Sequence, residues 1–351
     1  MSASAPLTRD ASPMDLLLAG LPRAGAAPAQ ASIADQAANP RDAVAWARQR
    51  VHAARALVIA GVEELTLESA QAMLDLAGRL KARVVSRRAT GLRFPPSIAF
   101  HANAGWIARC DALAWCGFDT QDGGVAPTLI PWLRSLREDP SRLQFHAAGD
   151  LAQASALRAF DSPHEAMRSL DPQASSDRVN RLGVLLSPRV GDERIGRIWH
   201  ERSGRWQTKV RTAVAQLPAQ ETLWARTASE VALWRTGLSL DHGGIDFADG
   251  RALRCPDLHT LLTRGAADLV LALSAAAAHR AIDAGLPTVV LAPQRVAGAQ
   301  VFVATRGLCR GIQARAITWD GEMVRLADDG AGAKDELPST LRSLASLSGE
   351  A

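Results

Sequence analysis

The chain has 351 residues, of which 47% are hydrophobic, and its 40 basic and 36 acidic residues give a formal net charge of +4. This length can bury a substantial core in two compact lobes, and the composition is ordinary for a globular protein. Almost all the basic residues are arginine, since lysine occurs only as Lys81, Lys209 and Lys334. Because no dense basic run with interleaved aromatic residues is present, we expect no nucleic-acid binding.

The cysteine pattern and the lengths of the apolar runs indicate the cellular compartment of the protein. Cys110, Cys116, Cys255 and Cys309 form no C-x-x-C pair, so neither zinc-finger nor ferredoxin spacing is present. We expect Cys110 and Cys116, which border an apolar run, to be small core residues. No apolar run reaches the roughly 18 residues of a membrane-spanning helix. The sequence therefore predicts a cytoplasmic protein with reduced thiols and no membrane contact.

From residue 40 onward, continuous apolar runs alternate with amphipathic stretches. In the first half, strands are predicted at 56–61, 83–86 and 111–117, and helices at 40–54 and 66–81. In the second half, strands are predicted at 182–187, 268–274, 287–293 and 300–305, and helices at 257–264 and 275–284. This alternation is typical of parallel sheets covered on both faces. The similar strands at 111–117 and 268–274 suggest two related lobes.

The pattern predicts a domain order along the chain. Residues 1–40 are rich in Ala, Pro and Ser and predict a flexible N-terminal arm that docks on a partner. Two Rossmann-like lobes are predicted at 41–175 and 176–335. Residues 336–351 are predicted to form a C-terminal tail.

The turns that follow the predicted strands lack the usual phosphate-binding motifs. Neither G-x-G-x-x-G nor G-x-x-x-x-G-K-[ST] occurs at any of them. Gly61 is followed by Val-Glu-Glu, and we interpret Glu64 and Thr66 as residues that start the next helix. The eight histidines form no H-x-H or H-E-x-x-H array. His279 follows a strand that ends where such lobes bind ligands. The alternative interpretation is that His279 belongs to a helix and faces solvent or a partner subunit.

A motif-rich stretch in the second half carries a family resemblance. Residues 234–237 read W-R-T-G and residues 246–250 read D-F-A-D-G, and L-L-T-R-G follows at 261–265. The spacing of the acids does not match an EF-hand, which leaves a structural loop or the relic of a ligand loop. In order and spacing this run resembles the B-type subunits of formylmethanofuran dehydrogenases. The resemblance covers roughly residues 40–330 and includes G-I-Q-A-R-A-I-T-W-D-G at 311–321.

The resemblance implies a fold of the molybdopterin oxidoreductase and formate dehydrogenase type, with two doubly wound α/β lobes. The family begins with a Cys-rich segment for an iron–sulfur cluster, whereas residues 1–55 contain no cysteine. The family's metal-ligating Cys or selenocysteine precedes a G-P-S turn, whereas residues 91–97 here read G-L-R-F-P-P-S. Molybdenum and tungsten in such sites need a soft sulfur or selenium ligand. We therefore expect no iron–sulfur domain, no molybdenum or tungsten pterin, and no metal site.

Further departures lie at the expected pterin crevice. Phe118 and Asp119 replace the family's small polar residue and Asn-Pro, and four alanines at 275–278 replace an S-D-P-like turn. We expect Phe118 to fill part of the old cavity. No catalytic or cofactor-binding residue is predicted. The positions that would line a vestigial crevice are Gly117, Phe118, Asp119, Trp234, Thr236, Gly237, Asp246, Gly250 and His279.

With these losses the chain resembles the B-type subunits of bacterial formyltransferase/hydrolase complexes. That resemblance implies a non-catalytic, structural component of a complex that moves a formyl group from tetrahydromethanopterin to a methanofuran-type carrier and hydrolyses it to formate. It also implies three partners, which are an amidohydrolase-like A-type subunit, a C-type subunit and a formyltransferase D-type subunit. The abundant arginines would suit interface anchors, as would the tryptophans at positions 106, 199, 206, 224 and 234, some of which are alternatively core residues.

Two other interpretations stay open on the sequence. The chain could be an active, pterin-dependent formylmethanofuran dehydrogenase component, if a metal ligand lies outside the family's motif. It could also be an unrelated α/β binding module or nucleotide enzyme, because a fold does not fix a function. Bound molybdenum or tungsten would favour the first of these alternatives.

Overall fold

A computed structural model describes residues 13–25, 30–86, 103–116, 118, 124–147, 158–160, 180–188, 211–220, 223–240, 243–327 and 332–346. The chain forms two compact units, each assembled from segments that are distant in sequence. The larger unit contains Leu21–Thr90, Trp224–Thr318 and Met323–Ala351, and the smaller unit contains Met1–Gly20, Gly91–Leu223 and Trp319–Glu322.

The larger unit is built on a sheet of nine strands. They are β1 (Ala31–Ile33), β2 (Gln36–Ala37), β3 (Leu57–Ala60), β4 (Arg83–Val85), β10 (Gly244–Asp246), β11 (Leu253–Cys255), β12 (Leu269–Ala272), β13 (Thr288–Ala292) and β14 (Val301–Ala304). Their order across the sheet is β11-β10-β4-β3-β12-β13-β14-β1-β2. The five strands β4, β3, β12, β13 and β14 pair in parallel, and the antiparallel pairs lie at the two edges. A separate antiparallel hairpin joins β15 (Arg315–Ile317) to β16 (Met323–Arg325).

Helices cover both faces of this sheet. One layer contains α2 (Pro40–Ala53), α3 (Leu67–Leu80), α6 (Arg226–Thr236) and α9 (Leu337–Ala345), and the opposite layer contains α7 (Leu258–Thr263) and α8 (Ala275–Asp283). Alternate residues of the central strands face the two layers. In β3, Leu57 and Ile59 join the first core, while Val58 and Ala60 join the second. Burial on both faces explains why these strands are continuously apolar in sequence.

The smaller unit has a second sheet, in which every pairing is parallel. Its strands are β5 (Ala112–Cys116), β6 (Leu143–Ala147), β7 (Arg158–Phe160), β8 (Arg181–Leu186) and β9 (Arg211–Gln216). Their order is β7-β6-β5-β8-β9. The described helices of this unit are α1 (Pro13–Gly20), α4 (Ala104–Ile107) and α5 (Ile130–Arg137), with a 3₁₀ turn over Pro127–Leu129. The central strand β5 buries its residues from Ala112 to Trp115 completely or nearly so.

The predicted fold class is therefore confirmed as mixed α/β, with two parallel-rich sheets of Rossmann-like organisation. The predicted strands at 111–117 and 268–274 form β5 and β12, which both lie in the middle of their sheets, but they are not equivalent in chain order. Strand β5 begins its sheet, as β3 does in the larger unit, whereas β12 follows the reversal. In the described part of the chain, no helix is long and apolar enough to span a membrane.

The predicted domain boundary at residues 175 and 176 is wrong. Strand β3 lies in the predicted first lobe and β12 in the predicted second lobe, yet the two pair in parallel from Leu57 with Leu269 to Ala60 with Ala272. The chain therefore leaves the larger unit after β4, builds the smaller unit, and returns at residue 224. Local apolar patterns show that strands exist, but they do not show which strands pair.

Both predicted chain ends also differ from the structure where it is described. The predicted arm at 1–40 includes α1, and its residues Ala31–Ile33 form β1, which pairs antiparallel with β14. The predicted tail at 336–351 includes α9, which buries Leu337, Leu341 and Leu344 against the core of the larger unit. Both regions are rich in Ala, Pro and Ser, which is why the sequence predicts them as flexible. The few apolar residues that pack α1 and α9 are not conspicuous against this composition.

Candidate functional site

Parallel α/β sheets bind ligands at the carboxyl ends of their strands, where the strand order reverses direction. In the larger unit, the chain passes from β3 to β4 on one side, and from β12 to β13 and β14 on the other. The reversal therefore lies between β3 and β12. In the smaller unit, the corresponding reversal lies between β5 and β8.

The reversal point of the larger unit is closed by the chain itself. The N–H of Leu273 donates to the carbonyl of Ala60 at 2.8 Å. Directly after β3, Gly61 has φ +82°, and a Cβ added there would lie 2.4 Å from the Ser274 Oγ and 2.7 Å from the Ser274 nitrogen. Ser274 in turn caps α8 by accepting from the Ala277 N–H at 3.3 Å. The backbone turns after β3 and β12 thus touch, and little space remains between them.

The N-terminus of α3, the helix that follows β3, is also occupied. Thr66 caps the helix by accepting from the Ser69 N–H at 3.1 Å. The Asp335 carboxylate accepts from the Thr66 hydroxyl at 2.7 Å and from the Ser69 hydroxyl at 3.0 Å. Helix N-termini attract anions because of their free N–H groups and the helix dipole. Here the anion is a carboxylate of the chain's own C-terminal segment.

A second carboxylate stands in the same turn of α3. Glu68 accepts from the backbone N–H of Arg315 at 3.1 Å and from its guanidinium Nε at 2.9 Å. This pair connects α3 to the hairpin strand β15. Of the two predicted helix-start residues, Thr66 is confirmed as the cap of α3, whereas Glu64 lies in the turn that precedes the helix. The sequence does not point to Asp335, since it is more than 260 residues away.

We expect Asp335→Ala to lower the stability of the C-terminal helix α9. The substitution leaves the Thr66 and Ser69 hydroxyls without their acceptor, and it removes the bond from the Leu337 N–H to Asp335 at 3.1 Å. Loss of these bonds at a half-buried carboxylate should cost about 2 kcal/mol. Hydrogen exchange of the peptide containing residues 337–345 measures this loss of stability. Asp335→Asn keeps an acceptor oxygen and should cost less, and equal exchange in wild type and Asp335→Ala would contradict this role.

In the smaller unit, an aromatic side chain follows the central strand. Phe118 is 2% exposed and meets Trp115 edge-on, with ring centroids 5.2 Å apart. Trp115 is fully buried and donates from Nε1 to the Gln144 side-chain oxygen at 2.6 Å. The Arg137 guanidinium lies 4.9 Å from the centre of the Trp115 ring. The carboxyl end of β5 is therefore packed with a tryptophan, a phenylalanine and a guanidinium. Burial of Phe118 agrees with the expectation that it occupies interior space.

Three of the predicted crevice positions lie at the end of α6. Trp234 is 58% exposed. Thr236 donates to the Ala232 carbonyl at 2.7 Å and accepts from the Leu238 N–H at 3.1 Å. Gly237 ends the helix with φ +74°. Thr236 and Gly237 therefore terminate a helix, and the W-x-T-G motif has a structural role that its sequence alone does not reveal.

The remaining positions are dispersed. Asp246 pairs with Arg83 at 2.8 Å on neighbouring strands, and Gly250 closes a turn with φ +70°. His279 is exposed on α8, in the helix layer opposite to α6. Gly117 and Asp119 lie outside the described residues. The structure thus does not gather the described positions of the larger unit into one site, and each has a local structural role or an exposed side chain.

The described cysteines have thiols whose pKa values are raised by burial. Burial raises the pKa of the Cys110 thiol to about 12, with smaller opposing effects of Arg142 and Asp111. Burial likewise raises the pKa of Cys255 to about 12, reinforced by Asp246. Burial also raises the pKa of Cys309 above its ordinary value. These thiols therefore stay protonated at neutral pH in the protein without a bound metal.

We expect Cys110 and Cys255 to resist alkylation in the folded protein. Raising a thiol pKa from 9.0 to about 12 reduces the thiolate fraction at pH 8 by about a thousandfold. Because the folded pKa is raised, reactivity should increase with pH until the pH approaches that value. Peptide mass spectrometry after timed iodoacetamide treatment measures each thiol, with urea-unfolded protein as the reference. Labelling of both thiols at the unfolded rate at pH 8 would contradict these pKa values.

The described residues supply no ligand set for a molybdenum or tungsten pterin. Among the described residues, no group of three or more His, Cys, Asp or Glu side chains could hold a metal ion. Residues 91–97, where the family's metal ligand would fall, lie outside the described residues, as does the side chain of Cys116. In the larger unit, Ser274 caps α8, and Asp335 accepts hydrogen bonds from the Thr66 and Ser69 hydroxyls at the start of α3. No chemical step can be assigned to such a cofactor on these residues.

Together these features define a class of protein. The chain is a two-unit α/β protein whose units are each built on a parallel-rich sheet with Rossmann-like connections. At both reversal points, the described ends of the central strands are packed by the chain's own residues.

A comparison with solved structures narrows this class. The chain matches, with a TM-score of 0.72 and 18% sequence identity, a chain in the X-ray crystal structure of the formyltransferase/hydrolase complex (FhcABCD) from Methylorubrum extorquens in complex with methylofuran. The match covers 90% of this chain and 97% of that chain. The predicted resemblance to a chain of this complex is therefore confirmed at the level of the fold. No protein-family model matches the sequence, and no curated protein matches it.

Proposed function

We propose that this chain is the non-catalytic, structural B-type subunit of a formyltransferase/hydrolase complex. The observation that carries the proposal is the structural match over 90% of this chain and 97% of a chain in such a complex. A match of nearly equal length means that both units have counterparts, so the likeness is not limited to one common α/β module. The sequence motifs at 234–250 and 261–270 resemble the B-type subunits.

In this proposal the chemistry belongs to the partner subunits. The complex would transfer a formyl group from tetrahydromethanopterin to a methanofuran-type carrier and release it as formate, as one step of one-carbon oxidation in the cytoplasm. An amidohydrolase-like A-type subunit would perform the hydrolysis, and a D-type subunit would perform the transfer. This chain would hold these subunits and the C-type subunit together.

The site geometry supports a structural role over redox chemistry. Among the described residues, no group of three or more His, Cys, Asp or Glu side chains could hold a metal ion. Beside the reversal point of the larger unit, Ser274 caps α8, and Asp335 bonds to the Thr66 and Ser69 hydroxyls at the start of α3. Phe118 and Trp115 pack the carboxyl end of β5 in the smaller unit. A pterin redox enzyme needs a soft metal ligand and open anion-binding positions, and these residues offer neither.

Omission of the chain from a reconstituted complex tests the proposal. The A-, C- and D-type subunits would be co-expressed with and without this chain, with the affinity tag on the A-type subunit. We expect the full set to give one assembly that releases formate from formyl-tetrahydromethanopterin, and the set without this chain to lose the assembly. Equal assembly and activity without the chain would contradict the scaffold role. Dye-linked oxidation of formylmethanofuran by this chain would instead support the dehydrogenase alternative.

A further inference from the structure

An aspartate stands directly before β12 and bonds to the start of the neighbouring strand. The Asp268 carboxylate accepts from the backbone N–H of Arg55 at 2.8 Å and, through its other oxygen, from that of Ala56 at 3.0 Å. In the opposite direction, the Asp268 N–H donates to the Ala56 carbonyl at 3.2 Å. Three hydrogen bonds therefore join one residue to the two positions that precede β3, at the end of the strand pair opposite to Gly61.

The smaller unit repeats this arrangement at its own reversal point. Asp111 directly precedes β5, and its carboxylate accepts from the backbone N–H groups of Asn180 and Arg181, both at 3.0 Å. The Asp111 N–H donates to the Arg181 carbonyl at 3.0 Å. Extending the observed registers by one residue places Asp268 opposite Ala56 and Asp111 opposite Arg181. Each aspartate thus bonds to the residue that faces it and to the residue before that one.

The recurrence does not follow chain order. In the larger unit the aspartate precedes β12, the strand that comes after the reversal, whereas in the smaller unit it precedes β5, the strand that comes before it. Two copies of one ancestral strand would carry the aspartate at the same place in chain order. What the two aspartates share is the joint at which they act, which is the pair of strands on either side of a reversal point.

The strands at the joint of the larger unit need a register signal beyond their apolar side chains. Strand β3 reads Leu-Val-Ile-Ala, β12 reads Leu-Val-Leu-Ala, and every one of these residues is buried. The hydrophobic pattern sets the register where one face of a sheet meets water, because a slip then exposes apolar residues. Here both faces are buried, so a slip of two residues exchanges apolar neighbours for apolar neighbours. After such a slip Asp268 would keep none of its three bonds.

We propose that Asp268 and Asp111 are register locks, which hold the two strands beside each reversal point in their observed alignment. A carboxylate suits this role because it accepts from two successive N–H groups, and a charged acceptor forms stronger bonds than a neutral one. In the larger unit, the lock aligns segments that are 212 and 213 positions apart in sequence. The inference rests on the backbone geometry of the two joints and is independent of the proposed function.

Refolding of single variants separates a register lock from an ordinary hydrogen bond. Wild type and Asp268→Ala are unfolded in urea, refolded, and compared by hydrogen exchange of the peptides that contain β3 and β12. We expect one protected population in wild type and two in the variant, because chains that pair out of register exchange faster. The fast-exchanging population should rise at least about tenfold over wild type. Asp111→Ala should have the same effect on the peptides of β5 and β8 and leave those of β3 and β12 with one population.

Asp257→Ala is the matched control in the larger unit. The Asp257 carboxylate also accepts from a backbone N–H, that of Thr260 at 2.9 Å, but this bond caps α7 within three residues. Its loss weakens a helix end without affecting how two strands align, so we expect one protected population. Asp268→Asn keeps one acceptor oxygen and should give a smaller fast-exchanging population than Asp268→Ala. It also supplies the comparison if Asp268→Ala does not refold.

Two results would overturn the inference. If Asp268→Ala and Asp111→Ala each refold to a single protected population with only a lower urea midpoint, the aspartates merely stabilise the strand ends. If Asp257→Ala shows two populations in the same proportion as Asp268→Ala, mixed exchange reports general destabilisation of the unit and carries no information on register.

Discussion

Replacing Phe118 with alanine is expected to lower the free energy of unfolding of the smaller unit by about 3–5 kcal/mol. Phe118 is 2% exposed and packs edge-on against Trp115, which is itself fully buried. The variant loses the transfer free energy of the ring, leaves a cavity beside Trp115, and forfeits the aromatic contact. Urea titration followed by circular dichroism, together with hydrogen exchange of the peptide containing β5, measures the change.

Phe118→Leu is the matched control for this prediction. It keeps an apolar side chain of moderate volume, so it should cost less than half as much as Phe118→Ala. The stabilities of these two variants also bear on function. Phe118 lies at the carboxyl end of the central strand, where such sheets hold ligands, so its packing there leaves less room for one. If Phe118→Ala unfolds at the same urea concentration as wild type, Phe118 does not pack the interior in the way described.

Replacing Gly61 with alanine is expected to destabilise the larger unit by about 2–5 kcal/mol. Two effects add. The residue has φ +82°, which disfavours any side chain, and the new Cβ would lie 2.7 Å from the Ser274 backbone nitrogen. Backbone cannot rotate away as a flexible side chain can, so the turns after β3 and β12 would have to separate. The urea midpoint and the exchange protection of β3 and β12 measure the effect.

Gly237→Ala separates the two effects. Gly237 has a similar φ of +74°, but a Cβ added there would meet nothing within 4 Å. The control should therefore show only the conformational cost, about 1–2 kcal/mol. If Gly61→Ala and Gly237→Ala destabilise the protein equally, the close approach of Gly61 to Ser274 makes no contribution, and the reversal point of the larger unit is not closed in the manner proposed.

The local elements of this chain can be predicted because their signals are local. The sequence predicts helix α3 at residues 66–81, and the helix is observed at Leu67–Leu80, with Thr66 as its cap. Continuous apolar runs predict the strands β3 and β12, and burial on both faces explains those runs. Apolar periodicity and capping residues act over a few positions, so a single sequence contains them.

The assembly of those elements cannot be predicted in the same way. The pairing of β3 with β12 joins residues more than 200 positions apart, and nothing in either strand specifies its neighbour. The same reason applies to Asp335, whose carboxylate reaches Thr66 and Ser69 from the far end of the chain. The boundary between the units depends on such long-range contacts. A division of the chain in sequence order is therefore wrong.

The residues of the candidate site could be predicted only in part from the sequence. The family resemblance predicts that Phe118 fills part of an old pterin cavity, and the structure shows that the side chain is buried. For the stretch that begins with the W-x-T-G motif at 234–237, the sequence leaves open a structural loop or the relic of a ligand loop, and Thr236 and Gly237 end a helix. A helix-terminating motif and a ligand-binding turn use the same small and polar residues, so the sequence alone cannot distinguish them.

Purification of the protein from its own cells tests the central claim most directly, with subunit mass spectrometry and elemental analysis of the same sample. The structural role predicts that amidohydrolase-like and formyltransferase-like subunits co-purify in fixed ratio, and that the sample contains neither molybdenum nor tungsten. Stoichiometric molybdenum or tungsten together with a pterin on this chain would contradict the account, because it would identify a working redox enzyme with a metal ligand elsewhere in the sequence.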